Sequence, residues 1–235
     1  MKIFKEYLNI IKLIAVLLLF FCSSYIQLIP AMLFNINIYT ASTTTLYALQ
    51  LFSNSVMALC LFFMYRKSLI KEFKEFKNKF WDIADLSIKY WILGLIAMAL
   101  SNILIGFFTP SKIANNEAGV QNIITQVPFI AFILTTVLAP FTEEIIFRKA
   151  FKENFKEKTL FILMSGIVFG SLHVISSVTT LYDYLYIIPY SALGIAFACL
   201  YYKTDNIFSS MFVHMLHNGI LTILSIIGTG MIILW

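Results

Sequence analysis

Two adjacent carboxylates, Glu143 and Glu144, stand in an otherwise apolar stretch running from Pro140 to Arg148, and Arg148 follows Glu144 by four residues. Further along, equally apolar stretches carry His173, then His214, His217 and Asn218. An ionisable group within a bilayer costs roughly 2.5–3.5 kcal/mol on insertion scales, so each of these side chains is a functional hypothesis by default. A carboxylate and an imidazole that converge can hold a water and take its proton, which assigns general-base work to Glu143 and His173. A second imidazole and an amide can donate hydrogen bonds to the oxyanion that forms on an attacked carbonyl, the task this reading gives His214 and Asn218. Peptide hydrolysis uses all four. One Glu with two or three His is also a zinc ligand set. Against zinc, the chain has no His-Glu-x-x-His stretch, and Asn218 suits an oxyanion better than a metal.

Helical spacing sorts the members, because residues four apart share a face. Glu144 pairs with Arg148, in the favourable order of acid before base, and is expected to neutralise and position it. Glu143 points about 100° away and is left for chemistry. His214 and Asn218 share one face, while His217 is offset and is expected at the lipid interface or in packing. Phe169, one turn below His173, is expected to wall its pocket. At a rise of ~1.5 Å per residue from the turns near Lys156 and Asp205, Glu143 lies ~20 Å along its helix, His173 ~25 Å, His214 ~14 Å and Asn218 ~20 Å. The four can meet at one level. Pro140 removes a backbone donor, which in an α-helix frees the carbonyl of Thr136 and kinks the chain beside Glu143.

The elements that must position these groups follow from composition. Of the 235 residues 60% are hydrophobic and 12% charged, too apolar a mixture for an ordinary soluble domain. Windows of about 20 apolar residues mark seven spans, near 10–29, 46–65, 90–108, 123–147, 159–176, 184–202 and 207–231. The last is expected to be tilted or broken near Gly228 and Gly230. The fold class is therefore all-α: a polytopic transmembrane bundle forming a single membrane domain over 1–235, with its catalytic core at about 120–225. The net charge of +5 does not indicate nucleic acid, because the basic residues cluster between spans: six in 66–79 and five in 148–158. Both clusters, and with them the amino terminus, are expected on the cytoplasmic side, leaving Lys112 the one basic residue in the outside loops. The segment 66–89 interleaves Phe and Trp with Lys at helical spacing and is expected to form an amphipathic interfacial helix. Cys22, Cys60 and Cys199 lie in apolar runs and are expected to be buried free thiols.

Together the motifs Glu143-Glu144-x-x-x-Arg148, Phe169-x-x-x-His173 and His214-x-x-x-Asn218, in that order and each on its own span, resemble the CAAX protease and bacteriocin-processing (CPBP, Abi) family of intramembrane glutamic endopeptidases. That family includes the Ras-converting CAAX endopeptidases and lysostaphin-resistance-like proteins. The resemblance covers roughly residues 120–225. It implies that Glu143 and His173 activate the water and that His214 and Asn218 form the oxyanion site, without a cofactor or catalytic metal. The implied partners are a membrane-associated peptide or protein substrate and the lipid bilayer. The Lys-, Ile-, Asn- and Phe-rich composition points to a bacterial plasma membrane. A binding role of another class, as a non-enzymatic immunity or scaffold protein, keeps the same residues but needs none of their chemistry. His217 stands where the family pattern leads one to expect an apolar residue.

Overall fold

The structure, a computed structural model, describes residues 2–109 and 114–233, and among them it contains helices and no strand. Eight long helices carry the fold: α1 (Lys2–Ile26), α2 (Thr43–Asn78), α3 (Phe80–Gly106), α4 (Asn115–Gln126), α5 (Pro128–Asn154), α6 (Lys158–Ile175), α7 (Ile187–Thr204) and α8 (Ile207–Ile233). All but α4 contribute to the seven segments that are long and apolar enough to cross a membrane, the number expected from hydropathy. Local chemistry sets their ends. The Ser42 hydroxyl accepts from Thr45 N to start α2, and Pro128 occupies the first turn of α5. Asp205, at φ 51°, ends α7 in a left-handed turn, after which the Asn206 side chain accepts from Phe208 N to open α8.

The outer face is apolar, as lipid requires. Ile11, Ile14 and Leu18 of α1 are more than half exposed, whereas the interior packs Phe147, Phe161 and Phe169 with Leu61 and Ile145. The most extensive helix pair is α6 with α7, followed by α7 with α3. Small residues permit it. A Cβ on Gly166 would fall 2.4 Å from Ile195 Cγ1, one on Gly170 2.6 Å from Ser191 N, and one on Gly94 2.8 Å from Ala196 Cβ. Close backbone approach of this kind substitutes for the hydrophobic drive that lipid removes.

Several expectations are corrected. The basic segment 66–89 is helical as expected but is divided between two helices: α2 continues unbroken to Asn78 and α3 begins at Phe80, so its charges lie on the ends of two long helices. Continuing a helix already formed requires no new nucleus. Arg148 and Lys149 are not loop charges either, because α5 runs on to Asn154 and buries both, at 0% and 4% exposure. Residues 115–126, read as loop and span start, form the separate helix α4, and the crossing begins at Pro128. Of the two alternatives for the last helix, the break is absent, since it runs unbroken through Gly228 and Gly230. Cys22 and Cys60 are exposed and Cys199 half-buried, since a thiol is as compatible with lipid as with a core. Lys112 lies outside the described residues.

Candidate active site

Helix α5 changes register around the acidic pair. It is π-helical at Ile133–Leu138, α-helical at Ala139–Glu143 and π-helical again at Glu144–Ala150. Such π stretches inside α-helices recur at functional sites. In an i→i+5 register the carbonyl that Pro140 leaves without a partner is that of Thr135, not that of Thr136 as α spacing indicates. Asn218 of α8 fills the gap: its Nδ2 donates to Thr135 O at 2.8 Å. The proline therefore places the Asn218 amide, and its other polar atoms remain for the cavity.

Glu144 and Arg148 are both fully buried, with Glu144 Oε2 at 3.3 Å from Arg148 Nε. The guanidinium also donates to Ser165 Oγ at 3.1 Å and lies 4.7 Å from the centre of the Phe169 ring. Buried charges persist only when paired in this way. The expected Glu144–Arg148 pair is thus present, and Glu144 has a second partner that spacing did not reveal: its Oε1 is 2.9 Å from His214 Nδ1. A carboxylate accepts, so Nδ1 of His214 carries a proton and Nε2 faces the other way.

The other face holds Glu143. Its Oε2 is 3.8 Å from His173 Nε2 and 3.7 Å from His214 Nε2. His173 Nδ1 lies 2.8 Å from the Phe169 carbonyl, which only accepts, so Nδ1 holds the proton and Nε2 presents a lone pair on the Glu143 side. The Phe169 ring packs 4.3 Å from the His173 ring, and Tyr190 stacks on the same imidazole at 5.1 Å. Glu143, His173, His214 and Asn218 line one cavity of about 210 Å³, the convergence that their shared depth suggested.

His217 is buried and packed against Trp91, one of its two expected placements, but it also reaches the cavity. It is 8% exposed, lines the same cavity, and its Nδ1 accepts from Trp91 Nε1 at 3.4 Å. An indole N–H only donates, which leaves the His217 proton on Nε2. Among the described residues no group of three or more His, Cys, Asp or Glu side chains is arranged to hold a metal ion.

Sequence reasoning missed the side chains that hold this arrangement from outside. Lys149 pairs with Glu72, whose Oε2 accepts from Ile207 N at 2.8 Å and whose carbonyl accepts from Asn206 Nδ2 at 2.7 Å. That cluster fixes the start of α8, and with it the height of His214, against α2 and α5. No local pattern announces contacts across such sequence distances. The Gly166-x-x-x-Gly170 spacing does carry its own signal of close packing, beside a reading that began from charge.

The "Putative membrane peptidase YdiL" of Bacillus subtilis (strain 168) is 29% identical over 153 residues, which cover 62% of this chain and 59% of that protein. The UPF0177 protein YvdC of Lactococcus lactis subsp. lactis (strain IL1403) is 26% identical over 186 residues, 74% of this chain and 69% of its own length. The UPF0177 protein YxdF of the same strain is 24% identical over 143 residues, 58% of this chain and 75% of its own. The chain thus spans less than two thirds of YdiL. No solved structure matches. Residues 125–220, the segment that contains every member of the polar cluster, match the family described as type II CAAX prenyl endopeptidase Rce1-like, which lies within the CPBP group.

Proposed function

We propose that this integral membrane protein is an endopeptidase that hydrolyses a peptide bond in a membrane-associated peptide or protein. The observation that carries the reading is the Glu143 carboxylate, within 4 Å of two imidazole Nε2 atoms and open to a cavity lined by all three. Glu143 and His173 together take a proton from water, which attacks the carbonyl carbon; the same proton is then available to the leaving amine. The carbonyl oxygen gathers negative charge, and the Asn218 amide and His214 Nε2 donate to it. For His214 to donate from Nε2 while Nδ1 is engaged by Glu144, the ring must hold both protons, and the Glu144 carboxylate is the counter-charge for that state. Arg148 in turn balances Glu144. None of these steps uses a metal or cofactor. The orientation that fits the basic helix ends has them, and the amino terminus, facing the cytoplasm across a bacterial plasma membrane.

The test is cleavage of internally quenched peptides, with and without a prenylated Cys-a-a-X tail, by the purified chain in detergent micelles. Glu143→Ala should abolish cleavage, and strong chelation followed by dialysis should leave the wild-type rate intact. Wild-type rates in Glu143→Ala would remove the assignment and return the cavity to a binding role. Loss of activity on chelation would move Glu143, His173 and His214 to a zinc site.

A further inference from the structure

A second cleft, of about 320 Å³, lies at the basic end of the bundle and shares no residue with the candidate active site. Lys12 of α1, Tyr65, Arg66, Lys67 and Ser68 of α2, and Glu153 of α5 line it. The helices bring these residues to one level: Lys12, midway along α1, stands over the ring of Tyr65, residues 65–68 lie in the second half of α2, and Glu153 is next to last in α5. That level is where the apolar spans give way to charge, the depth of lipid headgroups. Phe63 opens the cleft on its apolar side, and Ile11 and Ile14 continue the lipid-facing surface of α1, with exposures of 61%, 60% and 53%.

Two buried polar atoms in the walls have no partner among the described residues: the hydroxyl of Tyr65, a residue only 3% exposed, and Oε2 of Glu153. The Lys12 ammonium sits over the Tyr65 ring at 5.3 Å from its centre, and Arg66 and Lys67 are exposed at the rim. A buried polar group without a hydrogen-bond partner is destabilising, so such atoms point to something that completes them. The charges restrict what that is. Three cations attract a phosphate, but a purely anionic headgroup leaves the Glu153 acceptor unsatisfied and repelled. A lone ammonium suits Glu153 but is repelled by the three cations.

We propose that this cleft binds the headgroup of an aminophospholipid, with the phosphate held by Lys12, Arg66, Lys67 and the Tyr65 hydroxyl and the primary ammonium donated to Glu153. Its acyl chains lie along Phe63 and the outer face of α1. Basic pockets between helices at this depth are suited to phospholipid headgroups.

Native mass spectrometry of the purified chain tests this, using micelles doped equally with phosphatidylethanolamine, phosphatidylglycerol and phosphatidylcholine. The expected result is one phosphatidylethanolamine retained per chain, at about tenfold over the other two, because glycerol lacks the ammonium and choline lacks its N–H donors. The double variant Lys12→Gln/Arg66→Gln should lower that retention about tenfold or more. Glu153→Gln should erase the preference over phosphatidylglycerol, and Tyr65→Phe should weaken retention while keeping the packing. Thermal melting of each variant verifies its fold. Lys77→Gln, which changes an exposed lysine outside the cleft, should leave retention unchanged. Equal retention of the three lipids by wild type, undiminished retention in the double variant, or an equal loss in Lys77→Gln would overturn the proposal.

Discussion

Glu144 joins two positively charged or chargeable partners from different helices, with Oε1 at 2.9 Å from His214 Nδ1 and Oε2 at 3.3 Å from Arg148 Nε, and all three side chains are buried. Its neighbour Glu143 instead approaches the other ring nitrogen of His214, Nε2, at 3.7 Å and lines the cavity. The two acids should therefore fail differently. Glu144→Gln leaves Arg148 buried without its counter-charge and should destabilise the protein by about 3–5 kcal/mol, with activity reduced in step. Glu143→Gln should keep the melting temperature close to wild type and lower turnover by ~10²–10⁴-fold, as loss of a general base does. Thermal melting and turnover measured on the same preparations separate the two; equal, mild effects would contradict the division.

Pro140 is expected to act through Asn218. An alanine there supplies an N–H that competes for the Thr135 carbonyl now engaged by the Asn218 amide at 2.8 Å. Pro140→Ala should be as stable as wild type or more so, yet turn over more slowly, by up to the ~10²-fold typical of losing one oxyanion donor. Substrate affinity should change little. An unaltered kcat would mean that Asn218 is held without the proline's help.

The α6–α7 contact offers a steric test. In Gly170→Ala the new Cβ would meet Ser191 Oγ at 2.2 Å and Ser191 N at 2.6 Å, and backbone cannot step aside. Separation of the helices should cost about 1–3 kcal/mol and shift His173, one turn away, so both melting temperature and activity fall. Gly119→Ala, with nothing within 4 Å, should instead be neutral or stabilise by about 0.5–1 kcal/mol.

Trp91 and His217 should influence substrate binding without setting the chemical rate. Trp91→Phe removes the donor that keeps the His217 proton on Nε2, in the cavity. If that N–H meets a peptide carbonyl, one ordinary hydrogen bond is lost, and KM should rise about 3–10-fold at nearly constant kcat. A fall in kcat alone would place His217 in the chemistry.

Outside the membrane, Glu157 caps α6 by accepting from Thr159 N at 2.8 Å and Leu160 N at 2.5 Å. The backbone N–H of Leu160, then that of Thr159, hold its carboxyl below the ordinary value of 4.5. A carboxyl depressed by folding contributes stability that is complete above 4.5 and disappears as pH falls through the lowered value. Glu157→Ala should thus melt below wild type at neutral pH, with the gap closing under acid conditions. A pH-independent gap would point to a cause other than the ionised cap.

Much of the architecture was legible because lipid imposes it. Seven apolar runs give seven candidate crossings, and costly polar groups within them mark Glu143, His173, His214 and Asn218, which converge on one cavity. What periodicity could not supply was anything decided between helices or by a change of register. Glu144 meets His214 across 70 residues and Trp91 meets His217 across 126, and neither pair has a local signature. The carbonyl freed by Pro140 was misassigned to Thr136 because a uniform 3.6-residue repeat was applied to a stretch that does not follow it.

That stretch has a wider consequence. Each π segment accommodates a residue beyond what an α-helix of the same height holds, so the two halves of α5 are out of phase with any single helical wheel. A wheel anchored on the Ile130–Leu134 side misdirects Glu143, and one anchored on Phe151 misdirects it the other way. Loss of one residue within 133–138 would remove the first π segment and leave the acid facing nearly as it does, whereas the same loss from a regular α-helical stretch would carry it about a quarter turn around its axis. In this protein the aim of the carboxylate is a matter of residue count as much as of residue type.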